Sequence, residues 1–267
     1  MKRVALHTIL IIGALVCVLP FVWMLMASFK IYNEVLLPRL LPTTWTLANY
    51  QEILTKVGFL SAFKNSLLVA VPGTLSVVIT STAAGYVFAK YRFPGKNFLF
   101  TAILATLMVP FTVVIIPLYL AMNEIGLVNK LMGLLLTSLC GTFGIFLMRQ
   151  TIETIPNDYI DAARIDGAGE FWIFAQVIVP LTRTALATLA VFTFLGLWDN
   201  FLWPSILLRS KTQHTLPLVI ASLRSMFVER YHIWSAGAML TVLPVMALFT
   251  LVQKQFVSGL ALAGLKG

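Results

Sequence analysis

The chain has 267 residues, of which 59% are hydrophobic and only 11% are charged, and its mean hydropathy is +0.92. Soluble domains carry about 25% charged residues, and this chain has too few polar side chains to cover an aqueous surface, which excludes a soluble fold. Its net charge of +9 comes from basic residues scattered at the ends of apolar runs and in loops. That pattern indicates membrane orientation and lipid contact and argues against nucleic acid.

The apolar runs predict an all-α polytopic membrane protein, because each is continuous and close to the roughly 20 residues that a spanning helix needs. A membrane barrel would instead alternate apolar and polar residues. Cys17 and Cys140 lie inside such runs and are expected to be buried thiols. In chain order the sequence predicts about six spans: 4–29, 62–89, 98–122, 131–148, 184–208 and 236–252.

Two prolines, Pro110 and Pro117, fall inside the third predicted span. A proline frees a backbone carbonyl and bends a helix. The bend is either a hinge that lines a pathway or a kink that neighbouring helices tolerate.

The polar turns set the predicted orientation. The short turn 90–97 carries three basic residues, whereas the short turn 123–130 carries one. Cytoplasmic loops are enriched in Lys and Arg. Both termini and the polar segment 151–181 are therefore expected in the cytoplasm, with the long segments 30–61 and 209–234 outside.

Half of the acidic residues lie in the polar segment 151–181. They are Glu153, Asp158, Asp161, Asp166 and Glu170. Asn157 and Asp158 can cap a short helix, 159–166, because their side-chain oxygens accept hydrogen bonds from free backbone N–H groups. Gly167 permits the left-handed turn that ends it. The segment is either a solvated acidic loop or a rigid element that docks onto a partner.

Small side chains give the short helix a face that another protein can approach closely, at Ala162 and Ala163. A second helix, 170–179, is expected to end at Pro180. Its apolar face should pack on the spans through three residues: Phe171, Phe174 and Val177.

Catalytic and nucleotide-binding motifs are absent from the sequence. No G-x-x-x-x-G-K-[ST] segment is present, so the chain has no P-loop to hold ATP phosphates. The three histidines are isolated and make no metal-ligand pattern. An intramembrane enzyme therefore finds no support, and a self-sufficient ion-coupled transporter would need several ionisable residues in mid-membrane.

A pattern in segment 151–181 resembles the EAA loop of binding-protein-dependent ABC transporter permeases. It consists of Asp161-Ala162-Ala163, Gly167, Val177 and Val179-Pro180. Segment 192–204 and the tail from Phe256 to Gly267 are similar to those of carbohydrate importers of the maltose permease G type, and the likeness covers nearly the whole chain. The family often has glutamate at the position of Asp161, which keeps the charge.

The resemblance implies a type I ABC importer permease fold, a single domain over 1–267 in a prokaryotic inner membrane. Segment 158–167 would be a coupling helix in a cleft of a cytoplasmic ATPase subunit. The residues expected to couple are Asp161, Ala162, Ala163, Asp166, Gly167 and Pro180. The implied partners are a second homologous permease, two ATPase subunits that use ATP and Mg, and an external solute-binding protein that meets 30–61 and 209–234. The chain itself is expected to bind no cofactor and no metal.

Asp199 is the one acidic residue within a predicted span. An intramembrane carboxylate is a functional candidate because burying its charge is costly. With Trp198, Asn200 and Trp203 it could contact the hydroxyls and ring faces of a sugar, and Asn65 has a weaker claim. The alternative is that Asp199 caps the outer end of its span.

Overall fold

The computed structural model describes residues 2–226 and 230–263, where every regular element is a helix and no β-strand occurs. The α-helices, in chain order, are α1 (Lys2–Ser28), α2 (Ala48–Lys56), α3 (Phe59–Lys90), α4 (Lys96–Ala105), α5 (Phe111–Glu124), α6 (Leu131–Leu136), α7 (Thr142–Glu153), α8 (Asp158–Ile165), α9 (Glu170–Ile173), α10 (Val179–Leu181), α11 (Arg183–Trp198), α12 (Leu202–Leu207), α13 (Leu216–Met226) and α14 (Tyr231–Ala263). The predicted all-α class is confirmed. The tail residues Lys266 and Gly267 lie outside the described residues.

The chain divides into two compact units. One comprises Met1–Phe63 and Thr215–Val245, and the other comprises Lys64–His214 and Met246–Gly267. The second unit contains segment 151–181 and all the candidate site residues. The single domain expected over the whole chain stays a prediction.

Four segments of the described chain are long and apolar enough to cross a membrane. They are Val4–Ser28, Phe59–Lys90, Arg183–Leu207 and Tyr231–Gln253. They confirm the first, second, fifth and sixth predicted spans. Most of the first is not buried by the rest of the chain, as expected of a helix surrounded by lipid, although its last residues, Ala27 and Ser28, are buried. Cys17 and Cys140 are both exposed, so the prediction of buried thiols is wrong.

The third predicted span is not one continuous helix. It consists of Lys96–Met108 and Phe111–Glu124, which bend by 101° at a short break. Pro110 is the physical cause, because its ring disfavours the helical conformation of the preceding residue, and Val109 is extended at φ −87°, ψ 114°. Pro117 lies inside α5 without ending it. Counted as one span, the bent pair raises the number of candidate spans in the described chain to five.

The fourth predicted span, 131–148, is also wrong as a single helix, because it is split into α6 and α7. Thr137 Oγ1 donates to the carbonyl of Leu134 at 2.9 Å, and Ser138 Oγ donates to that of Leu135 at 2.9 Å. Such local bonds offer the backbone an alternative to the helix. The next helix then begins after Gly141, which is extended at φ −130°, ψ 114°.

The two segments predicted as external each contain a helix, α2 in 30–61 and α13 in 209–234. Asn49 of α2 is buried, and its Nδ2 donates to the carbonyl oxygens of Ser28 and Lys30, each at 2.8 Å. These bonds satisfy the last carbonyl of α1, which has no partner within that helix, and the carbonyl of Lys30 two residues beyond it. Arg230 forms a bidentate ion pair with Glu52 at 2.9 and 3.2 Å.

A single asparagine joins the turn after α5 to the end of α12. Asn129 has a left-handed backbone at φ 62°, and its N–H donates to the carbonyl of Leu207 at 2.8 Å. Its Oδ1 accepts from the backbone N–H groups of Arg209 and Ser210 at 2.9 and 2.8 Å, and its Nδ2 donates to Ser210 Oγ at 2.7 Å. Asparagine suits this position because it tolerates the left-handed region.

We expect Asn129→Ala to lower stability by about 2 kcal/mol, because the exposed N–H of Arg209 and the partly buried N–H of Ser210 lose their acceptor and the left-handed residue is strained. The measurement is the thermal unfolding midpoint of the purified protein in detergent. Asn129→Gly should be destabilised less than Asn129→Ala, because glycine removes the backbone strain but does not replace the side-chain hydrogen bonds. Asn123→Ala, at an exposed position, is the control, and equal midpoints for the 123 and 129 variants would contradict the role of Asn129.

Candidate functional site

Segment 151–181 leaves α7 at Glu153 and folds into a short helix, α8, which begins at Asp158 and ends at Ile165. The predicted helix, 159–166, is confirmed, although it begins and ends one residue earlier than predicted. The predicted side-chain cap is wrong, because Asn157 makes no capping hydrogen bond. Its Oδ1 instead accepts from Lys90 Nζ at 3.0 Å, and so the start of α8 is tied to the end of α3.

The end of α8 is fixed by Gly167, which has the left-handed backbone that was predicted, at φ 81°. The N–H of Gly167 donates to the carbonyl of Arg164 at 3.0 Å, and the N–H of Ala168 donates to that of Ala163 at 2.9 Å. These two bonds form a Schellman motif, which satisfies the last carbonyls of the helix. The chain therefore reverses at a defined point.

The inner face of α8 packs into the core of the second unit through Ile160 and Ala163, which are both buried. The prediction that Ala163 offers its small side chain to a partner is therefore wrong, whereas Ala162 is exposed as predicted. Helical geometry explains the difference, because adjacent residues point in different directions. The buried residues of this core cluster are Val77, Tyr86, Met148, Ile152, Ile160, Ala163, Ile173, Ile178 and Leu189.

The second predicted helix of the segment consists of α9, a π-helical stretch at Phe174–Ile178, and α10. Its inward-facing residues are Ile173 and Ile178, both fully buried, while Phe174 and Val177 pack against the core cluster as predicted. The prediction for Phe171 is wrong, because that ring is 83% exposed. Phe171 lies before the π-helical stretch, two residues from buried Ile173, so regular helical geometry already directs it away from the core. The π-helical stretch brings Ile178, five residues after Ile173, to the same inner face.

Pro180 does not end the second helix as predicted, because it lies within α10, Val179–Leu181. The continuous helical segment Glu170–Leu181 extends one residue past it. The direction of the chain changes at Thr182, whose buried Oγ1 donates to the carbonyl of Ile178 at 2.8 Å.

The outer surface of the segment carries large apolar side chains beside its carboxylates. Tyr159, Ile165, Phe171 and Trp172 are all exposed, Ile165 to 86%. Sequence patterns predict little of this surface, because the expectation for Phe171 alone concerns it and places that residue in the interior. Apolar side chains exposed together in a polar segment indicate a protein-binding surface.

Glu170 collects hydrogen bonds from three side chains. Its Oε1 accepts from Arg164 of α8, at 3.0 Å from Nε and 2.8 Å from Nη2. Its Oε2 accepts from the hydroxyls of Tyr86, at 3.2 Å, and Tyr91. The Tyr91 hydroxyl and then Arg164 hold the pKa of the Glu170 carboxyl below its ordinary range. The carboxylate therefore stays ionised at neutral pH, and its bonds are lost only when the pH falls through that lowered pKa.

Asp161 and Asp166 are both exposed on the outer surface of the segment. Asp161 lies 3.4 Å from Arg164, in an ion pair whose members are both largely solvated. Exposed pairs of this kind contribute little to stability. Both carboxylates are thus accessible to a partner.

The five candidate pathway residues do not have equal access to a solute. Trp198 is buried and stacks on Phe194, and buried Trp203 donates from Nε1 to Thr137 Oγ1 at 3.0 Å. Asn65 is half-buried, and its Nδ2 donates to two backbone carbonyls, those of Thr212 and His214.

Asp199 is the exposed member of the candidate group, and Asn200 is half-buried beside it. Asp199 follows the last residue of α11, in the short break before α12. Asn200 Oδ1 accepts from the backbone N–H of Trp203 at 3.4 Å. These two residues therefore interrupt the fifth span and do not lie within a continuous helix.

Residues 81–261 match the family described as the binding-protein-dependent transport system inner membrane component. The arabinooligosaccharides transport system permease protein AraQ of Halalkalibacterium halodurans is 34% identical over 95% of this chain and 93% of its own. The lactose transport system permease protein LacG of Rhizobium radiobacter is 33% identical over 95% and 93%.

A chain in the crystal structure of a bacterial ABC transporter involved in the import of the acidic polysaccharide alginate has the same fold. It superposes with a TM-score of 0.82 at 24% identity, over 95% of each chain. The predicted permease fold is thereby confirmed. Because the family match extends over most of the chain and two relatives exceed 30% identity, this protein belongs to the binding-protein-dependent transport system inner membrane components.

Proposed function

We propose that this permease forms half of the membrane pathway of an ATP-driven importer, together with a second, homologous permease subunit. Two cytoplasmic ATPase subunits would bind and hydrolyse ATP with Mg. The observation that carries this proposal is α8, a short helix fixed by Lys90 at its start and by Gly167 at its end, beside exposed apolar side chains. A helix of eight residues is marginal in water by itself, so the surrounding contacts hold it ready for a partner.

The proposed orientation has segment 151–181 and both termini in the cytoplasm. The basic turn 90–97 supports it, because Lys and Arg are enriched in cytoplasmic loops. Lys90 donates to Asn157 Oδ1 at 3.0 Å and to the carbonyl of Ile155. These bonds join the basic turn to segment 151–181, here called the docking segment, at one end of α3. The turn and the segment must therefore lie on the same side of the membrane, so the enrichment of Lys and Arg in cytoplasmic loops indicates the side of both.

The chain is proposed to have no catalytic activity and to bind no cofactor. Its sequence contains no P-loop, which supports a separate source of energy. Exposed carboxylates at Asp161 and Asp166 would meet basic side chains on the ATPase subunit. Such charges fix the orientation of docking more than its strength.

The solute is proposed to be a carbohydrate, delivered by an external solute-binding protein. The names of the arabinooligosaccharide and lactose permeases support this class. Asp199, exposed at the break in the fifth span, would contact solute hydroxyls together with Asn200. The carboxylate and amide accept or donate hydrogen bonds, which suits a hydroxyl-rich ligand.

The test is to purify the tagged chain from its native membrane in mild detergent and identify what accompanies it. A second permease and a P-loop ATPase are expected. The complex is then reconstituted into vesicles with its solute-binding protein, and uptake of labelled arabinotriose and lactose is measured with and without Mg-ATP. Uptake by the chain alone, driven by a proton gradient, would overturn the proposal and favour an ion-coupled transporter.

A further inference from the structure

The end of α3 holds the docking segment on both sides of α8. Before α8, Lys90 Nζ donates to Asn157 Oδ1 and to the carbonyl of Ile155. After α8, the hydroxyls of Tyr86 and Tyr91 donate to Glu170 Oε2. Residues 86–91 therefore make four side-chain hydrogen bonds that bracket α8, although this helix lies far from them in sequence.

Arg164, within α8 itself, also binds the carboxylate of Glu170. It donates to the other oxygen of the Glu170 carboxylate, Oε1, from Nε at 3.0 Å. Because Arg164 and Glu170 are each about half exposed, at 46% and 49%, this pair alone would contribute little. Tyr86, whose hydroxyl donates to Oε2 of the same carboxylate, is buried, and hydrogen bonds to an ionised carboxylate are stronger than those between neutral groups.

We propose that α8 and the cytoplasmic end of α3 move as one body, with Lys90 and Glu170 as the positioning residues that join them. This inference rests on the proposed docking of an ATPase subunit at α8. When α8 is displaced, α3 is then displaced with it, and the movement is transmitted to the other membrane-spanning helices through α3. The helices that precede and follow α8 in the chain are joined to it through turns, at 154–157 and 166–169.

The packing of α3 makes it suited to carry such a displacement. Gly85 lies against α7 so closely that an added Cβ would lie 2.7 Å from Met148 Cβ, so the two helices are in backbone contact. Helix α3 has 32 residues, which corresponds to about 48 Å at 1.5 Å per residue. Near its opposite end, Asn65 holds the carbonyls of Thr212 and His214 at 2.9 and 3.0 Å.

The test measures the distance between spin labels on α3 and α8 by dipolar EPR. Labels are placed at exposed Val87 and Asp158 in the complete transporter, after Cys17→Ser and Cys140→Ser remove the exposed native thiols. Spectra are compared without nucleotide and with Mg-ATP and vanadate. The labelled protein that keeps Lys90 and Glu170 should give one narrow distance distribution, and this distribution should be the same in both conditions.

In the double variant Lys90→Met, Glu170→Gln, the population outside the main distance peak should rise about tenfold, as expected when charge-assisted hydrogen bonds are lost, and the peak should shift with nucleotide. Tyr91→Phe, which keeps the ring, should give a smaller rise. Glu124→Gln is the matched control, since Glu124 is an exposed carboxylate at the end of α5. It should leave the distribution unchanged.

A double variant with the unsubstituted distribution would overturn the inference, as would a label distance that changes with nucleotide in the unsubstituted protein. The proposed function is tested separately, by whether the ATPase subunit co-purifies with the chain. If the subunit is present and the label distance changes with nucleotide, the rigid link alone is wrong. If no ATPase subunit accompanies the unsubstituted chain, the docking proposal is wrong and the inference falls with it.

Discussion

Replacing Gly85 with alanine is expected to destabilise the protein by about 1–3 kcal/mol, the usual cost of overpacking a tight core. The added Cβ would lie 2.7 Å from Met148 Cβ, 2.8 Å from the backbone nitrogen of Arg149 and 3.0 Å from the carbonyl carbon of Met148. Two of these are backbone atoms and cannot rotate away, so α3 and α7 must move apart. The intrinsic gain of alanine over glycine in a helix, about 1 kcal/mol, should not offset that separation.

The measurement is the thermal unfolding midpoint of the purified protein, with the fraction of monodisperse protein as a second readout. Gly196→Ala is the matched control, because Gly196 also lies within a helix, α11, and an added Cβ there has no neighbour within 4 Å. The control should leave the midpoint unchanged or raise it. If Gly85→Ala behaves like the control, α3 and α7 do not pack as closely as the structure indicates.

Hydropathy located the spans because the bilayer sets their length and composition. Hydropathy depends on side chains, however, and does not show where the backbone leaves the helical conformation. The third and fourth predicted spans are mostly apolar, so hydropathy averaged over the length of a span does not show where each is interrupted. In the third, Pro110 predicts a bend within one helix, either a hinge or a tolerated kink, whereas the structure ends the helix there. In the fourth, Thr137 and Ser138 end α6 with hydrogen bonds to the preceding turn, and such residues are common in helices that continue.

Local chemistry predicted the end of α8 well, because a left-handed glycine depends mainly on its own backbone. The inward and outward faces of the docking segment were less predictable. The π-helical stretch at Phe174–Ile178 changes which residues point inward, and only tertiary packing shows it. The contacts of Glu170 with Tyr86 and Tyr91 join residues about 80 positions apart, and no spacing rule within a single sequence brings such residues together.

We expect Gly167→Val to reduce ATP-driven uptake by about tenfold or more, while membrane insertion remains intact. Gly167 has φ 81°, and a β-branched residue is strained there by about 1–2 kcal/mol. An added Cβ would meet no atom within 4 Å, so the strain acts on the backbone alone. The Schellman bonds of Gly167 and Ala168 should weaken, the end of α8 should fray, and ATP hydrolysis should continue without moving solute.

Gly169→Val is the matched control for that change, because Gly169 is equally open but has an ordinary extended backbone at φ −73°, ψ 161°. Valine is comfortable in that region, so uptake should be retained. Gly167→Asn should restore part of the activity, since asparagine tolerates the left-handed conformation. The readout is solute accumulated per ATP hydrolysed in reconstituted vesicles. Full uptake by Gly167→Val would mean that force reaches the spans without a defined end to α8, and the docking role assigned to this helix would be wrong.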